Sequence, residues 1–277
     1  MAARASLNRR WGFGCLLVGF GILVLWLTSQ TPDIDDLLPT GVLRIGVDAS
    51  FPPFAVFEDG GYRGIDIALG EILAYELGVT PQFENLGHDG LYDALATGRV
   101  DVLISALTER PELRGRVRYS PPYFNAGLVL VTPETDGPAS TMWQMAGQRI
   151  AFGFGSDAHF ELDRWSRRIS SFTPMPYELP EYALDALRLG HADAALIDSA
   201  HLLTYQCRHP DWWVTQSEVT VLPYVIAVDE DNPFLHQRID NALRDWQSTG
   251  RLDALIRAQF SRPCWTALLP RGYTAAS

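Results

Sequence analysis

The chain has 277 residues, of which 47% are apolar and 20% charged, and its formal net charge is −11. A chain of this length can bury a full hydrophobic core as one or two domains. The acidic balance argues against nucleic acid as a partner, because phosphate binding needs clustered lysine and arginine. It also disfavours a folded domain that lies flat on anionic lipid.

The N-terminal residues depart from this globular composition. Three arginines precede an uncharged, apolar segment at residues 11–27. This segment predicts an N-terminal transmembrane helix or a signal segment within residues 1–30, followed by a linker at 31–40. Because basic flanks stay in the cytoplasm, the rest of the chain is predicted in the periplasm or at the cell surface. Two outcomes stay open: an uncleaved helix that anchors the chain to the plasma membrane, or a cleaved signal peptide.

Residues 41–131 alternate between strand and helix patterns. Residues 65–77 repeat apolar side chains at helical spacing, and Gly78 ends the pattern. This order of elements is typical of a mainly parallel sheet covered by helices, an α/β fold. The predicted elements are a strand at 43–47, a helix at 65–77, a strand near 82–84, a helix at 89–97, a strand at 102–105, a helix at 112–117 after Pro111, and a strand at 128–131.

The alternation starts again after the polar stretch at 132–140. We place the lobe boundaries near 132 and 222, where two strands would cross between the lobes. Lobe 1 is then predicted to comprise 41–131 plus 222–277, and lobe 2 to comprise 132–221. The elements predicted here are a strand at 149–154, a helix from Ser156 or Asp157, a helix at 181–189, a strand at 194–198, a helix at 199–207, an extended segment at 219–228, and two helices within 232–260 separated at Gly250.

One sequence motif occurs twice. The pattern Asp-Ala-Leu-x-x-Gly-x-x-Asp occupies residues 93–101 and again residues 185–193, and an apolar strand pattern follows each copy. The repetition predicts two lobes built on one plan, with a cleft between them. Ligands of such sheets meet the carboxyl ends of the strands. The two repeats therefore direct attention to Ser105–Thr108 and to Asp198.

Two candidate regions of lobe 1 follow predicted strands. The turn from Asp48 to Phe54 is rich in proline and aromatic residues, and we expect Phe51 to face the cleft and Phe54 to pack in the core. Thr108, Arg110 and Arg114 stand where a helix was predicted to begin, an arrangement suited to a carboxylate. The alternative is a solvated basic helix with no ligand.

Lobe 2 offers polar groups at two predicted strand ends. The turn before the predicted helix at 156 or 157 carries Ser156 and Asp157, whose polar atoms suit a ligand, although Asp157 suits a helix cap equally. Asp198 follows an apolar strand and suits a ligand ammonium group, with an N-cap as the alternative. His88, just before the first repeat, is a further candidate for the cleft. The histidines show no metal-ligand spacing, no catalytic motif is found, and no cofactor is predicted.

Several segments together resemble the extracellular solute-binding proteins of family 3, the amino-acid receptors of bacterial ABC importers. The resemblance covers about residues 41–261 and is carried by Leu43–Asp48, Phe51–Phe54, Tyr62–Ile67, Tyr119–Tyr123, Gly155-Ser156 and Gly190–Ala194. It implies a two-lobed periplasmic-binding fold of class II that closes on its ligand. It also implies that Asp48, Phe51 and Thr108 line the cleft from lobe 1, that Ser156, Asp157 and Asp198 line it from lobe 2, and that Asp198 takes an α-amino group. His88 falls where the family often has an aromatic residue.

The chain departs from the family at the carboxylate-binding arginine. Counting back from Ser120, that position holds Leu113, and Arg110 or Arg114 would have to substitute. We therefore expect a binding protein for a small polar solute, an amino acid foremost, that serves an ABC permease. A membrane-anchored sensory module and a cyclohexadienyl dehydratase-like lyase are the alternatives, and the lyase would need a cleft acid such as Glu109 or Asp157.

The two cysteines beyond the apolar segment, Cys207 and Cys264, can form a bridge in an oxidising compartment or remain two thiols. The ligand-binding lobes of ionotropic glutamate receptors have a similar layout, with a cysteine shortly after the acidic residue paired with one past the last helix. That resemblance favours the bridge.

Overall fold

A computed structural model of the chain describes residues 33–58, 60–134 and 140–261. The chain divides into a short N-terminal unit, Met1–Thr40, and a large unit, Gly41–Ser277. The predicted helix at 11–27 and Cys264 both lie outside the described residues. In the part that is described, every helix is too short or too polar to cross a membrane.

The described part contains helices and strands in regular alternation. The N-terminal unit contributes α1 (Ile34–Leu37), and all other elements belong to the large unit. The helices are α2 (Ile65–Leu77), α3 (Leu91–Ala96), α4 (Asp157–Trp165), α5 (Pro180–Arg188), α6 (Ser199–Arg208), α7 (Pro233–Ser248) and α8 (Arg251–Ser261). The strands are β1 (Val42–Val47), β2 (Ser50–Phe51), β3 (Ala55–Glu58), β4 (Gly61–Arg63), β5 (Thr80–Asn85), β6 (Val102–Leu107), β7 (Val117–Tyr119), β8 (Phe124–Asn125), β9 (Leu128–Pro133), β10 (Arg149–Gly153), β11 (Thr173–Tyr177), β12 (Ala194–Asp198), β13 (Val214–Glu218) and β14 (Pro223–Asp229).

The first sheet has the strand order β5-β1-β6-β14-β7, and β8 pairs with the start of β14. β1 runs parallel to β5 and to β6, whereas β14 is antiparallel to β6 and β7. The central strands are apolar because helices cover the sheet, and Leu43, Ile45 and Val47 of β1 are fully buried. The long return from β9 to β14 places the C-terminal helices beside this sheet, where α7 and α8 contact α2.

The second sheet repeats the plan with the order β11-β10-β12-β9-β13. β10 runs parallel to β11 and β12, and β9 is antiparallel to β12 and β13. In each sheet, therefore, three parallel strands are followed by an antiparallel strand. Ligand-contacting side chains are expected at the carboxyl ends of β1, β6, β10 and β12, which follow this common plan.

The repeated motif has the same structural role in both sheets. In the first copy, Asp101 accepts hydrogen bonds from the main-chain N–H of Arg44 (2.8 Å) and from its Nε (3.0 Å). In the second copy, Asp193 accepts from the main-chain N–H of Arg149 (2.8 Å) and from its Nε (3.1 Å). Asp101 thus joins the start of β1 to the turn after α3. Asp193 joins the start of β10 to the turn after α5 in the same way. The repeat is therefore part of the scaffold.

A third, small sheet of β2, β3 and β4 lies between β1 and α2, and the sequence patterns did not predict it. Gly64 follows this sheet with a φ of 133°, and a Cβ at this position would stand 2.0 Å from the main-chain oxygen of Phe54. Because the main chain cannot give way easily, only glycine fits there. This close approach connects the turn that carries Phe51 to the start of α2.

The predicted helix at 112–117 was wrong. Only a three-residue 3-10 turn, Pro111–Leu113, forms there, and Val117 already begins β7. Gly115 adopts a φ of 81°, which directs the chain away from a helix. Pairing of β7 with β14 outweighs the local preference for a helix after Pro111.

A carboxyl group is fully buried at the first turn of α2. Asp66 Oδ1 accepts a hydrogen bond from the Tyr123 hydroxyl (2.7 Å), which itself accepts from the main-chain N–H of Ala106 (3.0 Å). Asp66 Oδ2 has no hydrogen-bond partner in the described part of the chain. Burial raises the pKa of Asp66 from 3.8 to about 7, against the opposing effect of the Tyr123 hydrogen bond.

This shift predicts a pH-dependent stability. Because the folded pKa of Asp66 exceeds its unfolded value, the folded chain binds more protons between about pH 4 and pH 7, so its free energy of unfolding falls as pH rises through that window. The loss from this group is about 4 kcal/mol at most. In an Asp66→Asn variant, the amide oxygen keeps the acceptor for Tyr123 and carries no charge. We subtract the free energy of unfolding of the parent from that of Asp66→Asn. This difference should increase by a few kcal/mol from pH 4.5 to pH 7.5, as measured by urea unfolding.

The exposed Asp163 supplies the matched control for this pH measurement. Asp163→Asn should follow the parent at both pH values, because an exposed carboxylate contributes little to stability. Parallel loss of stability in Asp66→Asn and the parent would contradict the assignment.

Candidate functional site

A cleft of about 970 Å³ lies between the two sheets of the large unit. Its walls come from the β2 turn, the segments around 126–128 and 220–224, one face of α4, the start of α5, the end of β12 and one face of α6. Side chains that belong to both sheets therefore line the cleft. This is the position expected for a ligand site in such a fold.

The two segments that cross between the sheets are joined by hydrogen bonds. Ala126 N–H donates to Leu222 O (2.8 Å), and Leu128 N–H donates to the Thr220 hydroxyl (2.8 Å). Asn125 Oδ1 accepts from the N–H groups of Gly127 (3.0 Å) and Leu222 (2.8 Å). A Cβ on Gly127 would stand 2.0 Å from Thr220 O, so the two backbones approach as closely as glycine permits.

The structure places the nine sequence-predicted site residues in two groups. Four of them line the cleft: Phe51, Ser156, Asp157 and Asp198. The other five do not line it in this conformation: Asp48, His88, Thr108, Arg110 and Arg114.

Phe51 presents an aromatic face to the cleft. Its side chain is 48% exposed, whereas Phe54 is 1% exposed, as the sequence predicted for these two rings. Phe51 stacks on Phe54, with ring centroids 5.7 Å apart and an interplanar angle of 14°. Phe54 in turn packs edge-to-face against Phe124 and Tyr224. The exposed ring is therefore supported from beneath by a buried aromatic cluster.

Of the five residues that do not line the cleft, Asp48 and Arg110 have other side-chain contacts. Asp48 Oδ1 accepts from the main-chain N–H (3.1 Å) and the hydroxyl (2.6 Å) of Ser50, which fixes the turn before Phe51. Arg110 Nε donates to Glu112 Oε1 (2.9 Å), and the guanidinium lies 5.2 Å from the centroid of the Tyr92 ring. The hydrogen bond that Arg110 donates to Glu112 raises the pKa of Arg110 above its ordinary value. Within the described ranges, no side-chain hydrogen bond, ion pair or ring contact is found for Thr108 and Arg114, both beside the short 3-10 turn, or for His88 at the start of the turn before α3.

Ser156 and Asp157 stand at the start of α4. The Ser156 hydroxyl donates to Gly153 O (2.7 Å), so it stabilises the turn, and the residue lines the cleft. Asp157 is the first residue of α4 and is exposed. Its carboxylate has no hydrogen bond or ion pair within the described ranges. A carboxylate in this position is stabilised by the helix N-terminus and remains available to a cation.

Asp198 ends β12 and has two roles at once. Its Oδ1 accepts from the main-chain N–H of His201 (3.0 Å) and so caps α6, as the alternative interpretation predicted. Its Oδ2 lies 2.6 Å from His201 Nδ1. Burial raises the pKa of Asp198, but the hydrogen bonds from His201 outweigh burial and hold the pKa below its usual value. The same contact raises the pKa of His201 above its usual value.

Sequence reasoning missed the other charged residues of the cleft. Glu161 and Arg164 line it and form an ion pair of 2.8 Å, and Glu181 and Arg208 line it 3.6 Å apart. Polar residues repeated at helical spacing could have indicated Glu161, Arg164 and Arg208. Residues 157, 161 and 164 share one face of α4, and residues 201, 204 and 208 share one face of α6.

Comparison with known proteins identifies the class that this fold and cleft define. Residues 43–262 match the model of the bacterial extracellular solute-binding proteins, family 3. The chain belongs to this family.

Among similar curated proteins, the L-cystine-binding protein TcyJ of Escherichia coli (strain K12) is 26% identical over 224 residues, which is 79% of this chain and 83% of the relative. ABC transporter arginine-binding protein 1 of the same organism is 25% identical over 215 residues, or 75% of this chain and 86% of the relative.

Solved structures show the same architecture. An ancestral cationic amino acid solute binding protein superposes with a TM-score of 0.58 at 26% identity and covers 83% of this chain and 100% of its own. The L-cystine solute receptor of Neisseria gonorrhoeae, in an unliganded open conformation, superposes with a TM-score of 0.66 at 21% identity and covers 79% of this chain and 92% of its own. The latter likeness supports the two-lobed fold alone.

Proposed function

We propose that this chain captures a small amine-bearing solute, an amino acid foremost, and delivers it to the permease of an ABC importer. The observation that carries the proposal is the cleft of about 970 Å³, lined from both sheets and holding Asp198 at the carboxyl end of β12. A carboxylate there suits an ammonium group. The named relatives, which are binding proteins for cystine and arginine, support the same class of ligand.

The proposed mechanism is closure of two lobes, 41–131 plus 222–277 and 132–221, about the hydrogen-bonded crossing segments. A ligand that contacts both walls favours the closed state by its differential affinity for the two states. Phe51, Ser156, Asp157 and Asp198 are the proposed contacts in the present conformation. Asp48, His88, Thr108, Arg110 and Arg114 would contact a ligand only after the lobes move.

We propose an extracytoplasmic location, with the apolar segment at 11–27 as anchor or export signal and a Cys207–Cys264 bridge near the C-terminus. The family is one of extracellular proteins, which supports export. Intact-mass measurement of the full chain before and after reduction checks the bridge, because alkylation should add two more groups after reduction than before it.

We further propose binding without catalysis. A lyase would need a cleft acid positioned on its substrate, and Glu109, one of the two sequence candidates, does not line the cleft. The other, Asp157, is an exposed carboxylate at the start of α4. Incubation of the protein with prephenate or arogenate and chromatography of the products tests this, and turnover would contradict it.

A thermal-shift screen of the full chain in non-ionic detergent tests the binding function. A ligand present at a hundred times its Kd should add about 2.7 kcal/mol to the free energy of unfolding, which raises the melting temperature by a few degrees. We expect stabilisation by one or more amino acids or amines. Sugars and dicarboxylic acids serve as controls, and stabilisation by these alone would overturn the proposal.

A further inference from the structure

The two walls of the cleft differ in charge. Among the described residues, the wall from the first sheet and the crossing segments has no charged side chain, whereas the wall from the second sheet has four carboxylates, two guanidinium groups and one imidazole. A ligand held between them meets aromatic rings on one side and mostly acidic groups on the other. This difference between the two walls indicates the sign of the charge on the ligand.

The uncharged wall favours a cation over an anion. Phe51 exposes its ring to the cleft, with Phe54 stacked behind it, and Tyr224 also lines the cleft. The face of an aromatic ring is electronegative and attracts ammonium and guanidinium groups. No described residue of this wall offers a cationic side chain to a ligand carboxylate in this conformation.

On the acidic wall, every cationic side chain that lines the cleft already has an acidic partner. Arg164 binds Glu161 at 2.8 Å, Arg208 lies 3.6 Å from Glu181, and His201 binds Asp198 at 2.6 Å. Asp157 is different, because in the described part of the chain it has neither a hydrogen bond nor an ion pair. In the part of this wall that the structure describes, one carboxylate is therefore unpaired and no cation is.

From this asymmetry we infer that the cleft recognises an organic cation through its positive group and needs no carboxylate on the ligand. The positive group binds between the Phe51 ring and the Asp157 and Asp198 carboxylates. The ligand class consists of amines and guanidines, including amino acids that have lost their α-carboxyl group. This inference rests on the proposed binding function and narrows its substrate class.

Isothermal titration of the full chain in non-ionic detergent with matched ligand pairs tests the inference. The pairs are L-arginine with agmatine and L-lysine with cadaverine, which differ only in the carboxyl group, and L-glutamine is the neutral comparison. We expect the Kd of the amine in at least one pair to be no more than threefold above that of its amino acid. An amino acid that binds more than tenfold tighter than its amine in both pairs would overturn the inference.

Variants of the cleft provide the second measurement. Asp157→Asn and Phe51→Leu should each weaken binding of the amine at least fivefold, while Asp163→Asn, on the same helix but outside the cleft, should leave the Kd unchanged. Arg114→Ala should change the Kd of L-arginine and the Kd of agmatine by the same factor, because any contact of Arg114 after closure would not depend on the ligand's carboxyl group. A loss of affinity more than tenfold greater for L-arginine than for agmatine would show that this arginine anchors the carboxylate after closure, and would overturn the inference.

The outcomes separate this inference from the proposed function. Binding of L-glutamine or another neutral amino acid without binding of any amine would refute the inference and leave the binding function in place. No binding by any amino acid or amine would remove both.

Discussion

A Gly127→Ala variant is expected to lose about 3 kcal/mol or more of its free energy of unfolding. The added Cβ would stand 2.0 Å from Thr220 O and 2.6 Å from Thr220 C, both main-chain atoms. The two crossing segments would have to separate, which strains the hydrogen bonds from Leu128 N–H to the Thr220 hydroxyl and from Ala126 N–H to Leu222 O. Urea unfolding followed by circular dichroism measures the loss.

Gly87→Ala is the matched control for this substitution. A Cβ on Gly87 would meet no atom within 4 Å, and the residue has an ordinary extended conformation with a φ of −64°. Its free energy of unfolding should therefore change by less than about 0.5 kcal/mol or increase slightly. Equal stability of Gly127→Ala and Gly87→Ala would mean that the crossing segments tolerate separation.

The long elements of the fold could be predicted because local pattern and tertiary packing agree there. The helix at Ile65–Leu77 has both its predicted ends, since Gly78 adopts the left-handed conformation that stops it. The helix predicted at 112–117 failed for the opposite reason. Val117 pairs with Asp229 of β14, a strand more than a hundred residues later, and no local pattern contains that partner.

Position after a strand predicted only part of the candidate site. Asp198 ends β12 and Asp157 follows β10 by four residues, and both line the cleft, because the apolar pattern of each strand shows where it ends. Asp48 and Thr108 directly follow β1 and β6, yet neither lines the cleft in this conformation. The arginines after β6 could not be placed in this way. The guanidinium of Arg110 binds Glu112 and lies over the Tyr92 ring, and both of these contacts compete with any ligand.

An Asp198→Asn variant separates the two roles that the structure gives to this residue. The amide oxygen of asparagine can still accept from His201 N–H and cap α6, so the free energy of unfolding should change by less than about 1 kcal/mol. The charge that would hold an ammonium group is gone. We expect the Kd of an amine-bearing ligand to rise roughly thirtyfold or more, which corresponds to about 2 kcal/mol. Isothermal titration, with urea unfolding in parallel, measures both quantities.

His201→Gln is the control for this variant, because it removes the imidazole 2.6 Å from Asp198 Oδ2 and leaves the carboxylate in place. If Asp198 acts through its charge on the ligand, the Kd in His201→Gln should not rise more than threefold, since the imidazole competes with the ligand for the same oxygen. If Asp198 is only a helix cap, Asp198→Asn should bind as the parent does. Unchanged affinity in Asp198→Asn would therefore refute its role in binding, and a large loss in both variants would assign the binding role to the Asp198–His201 pair and not to the carboxylate alone.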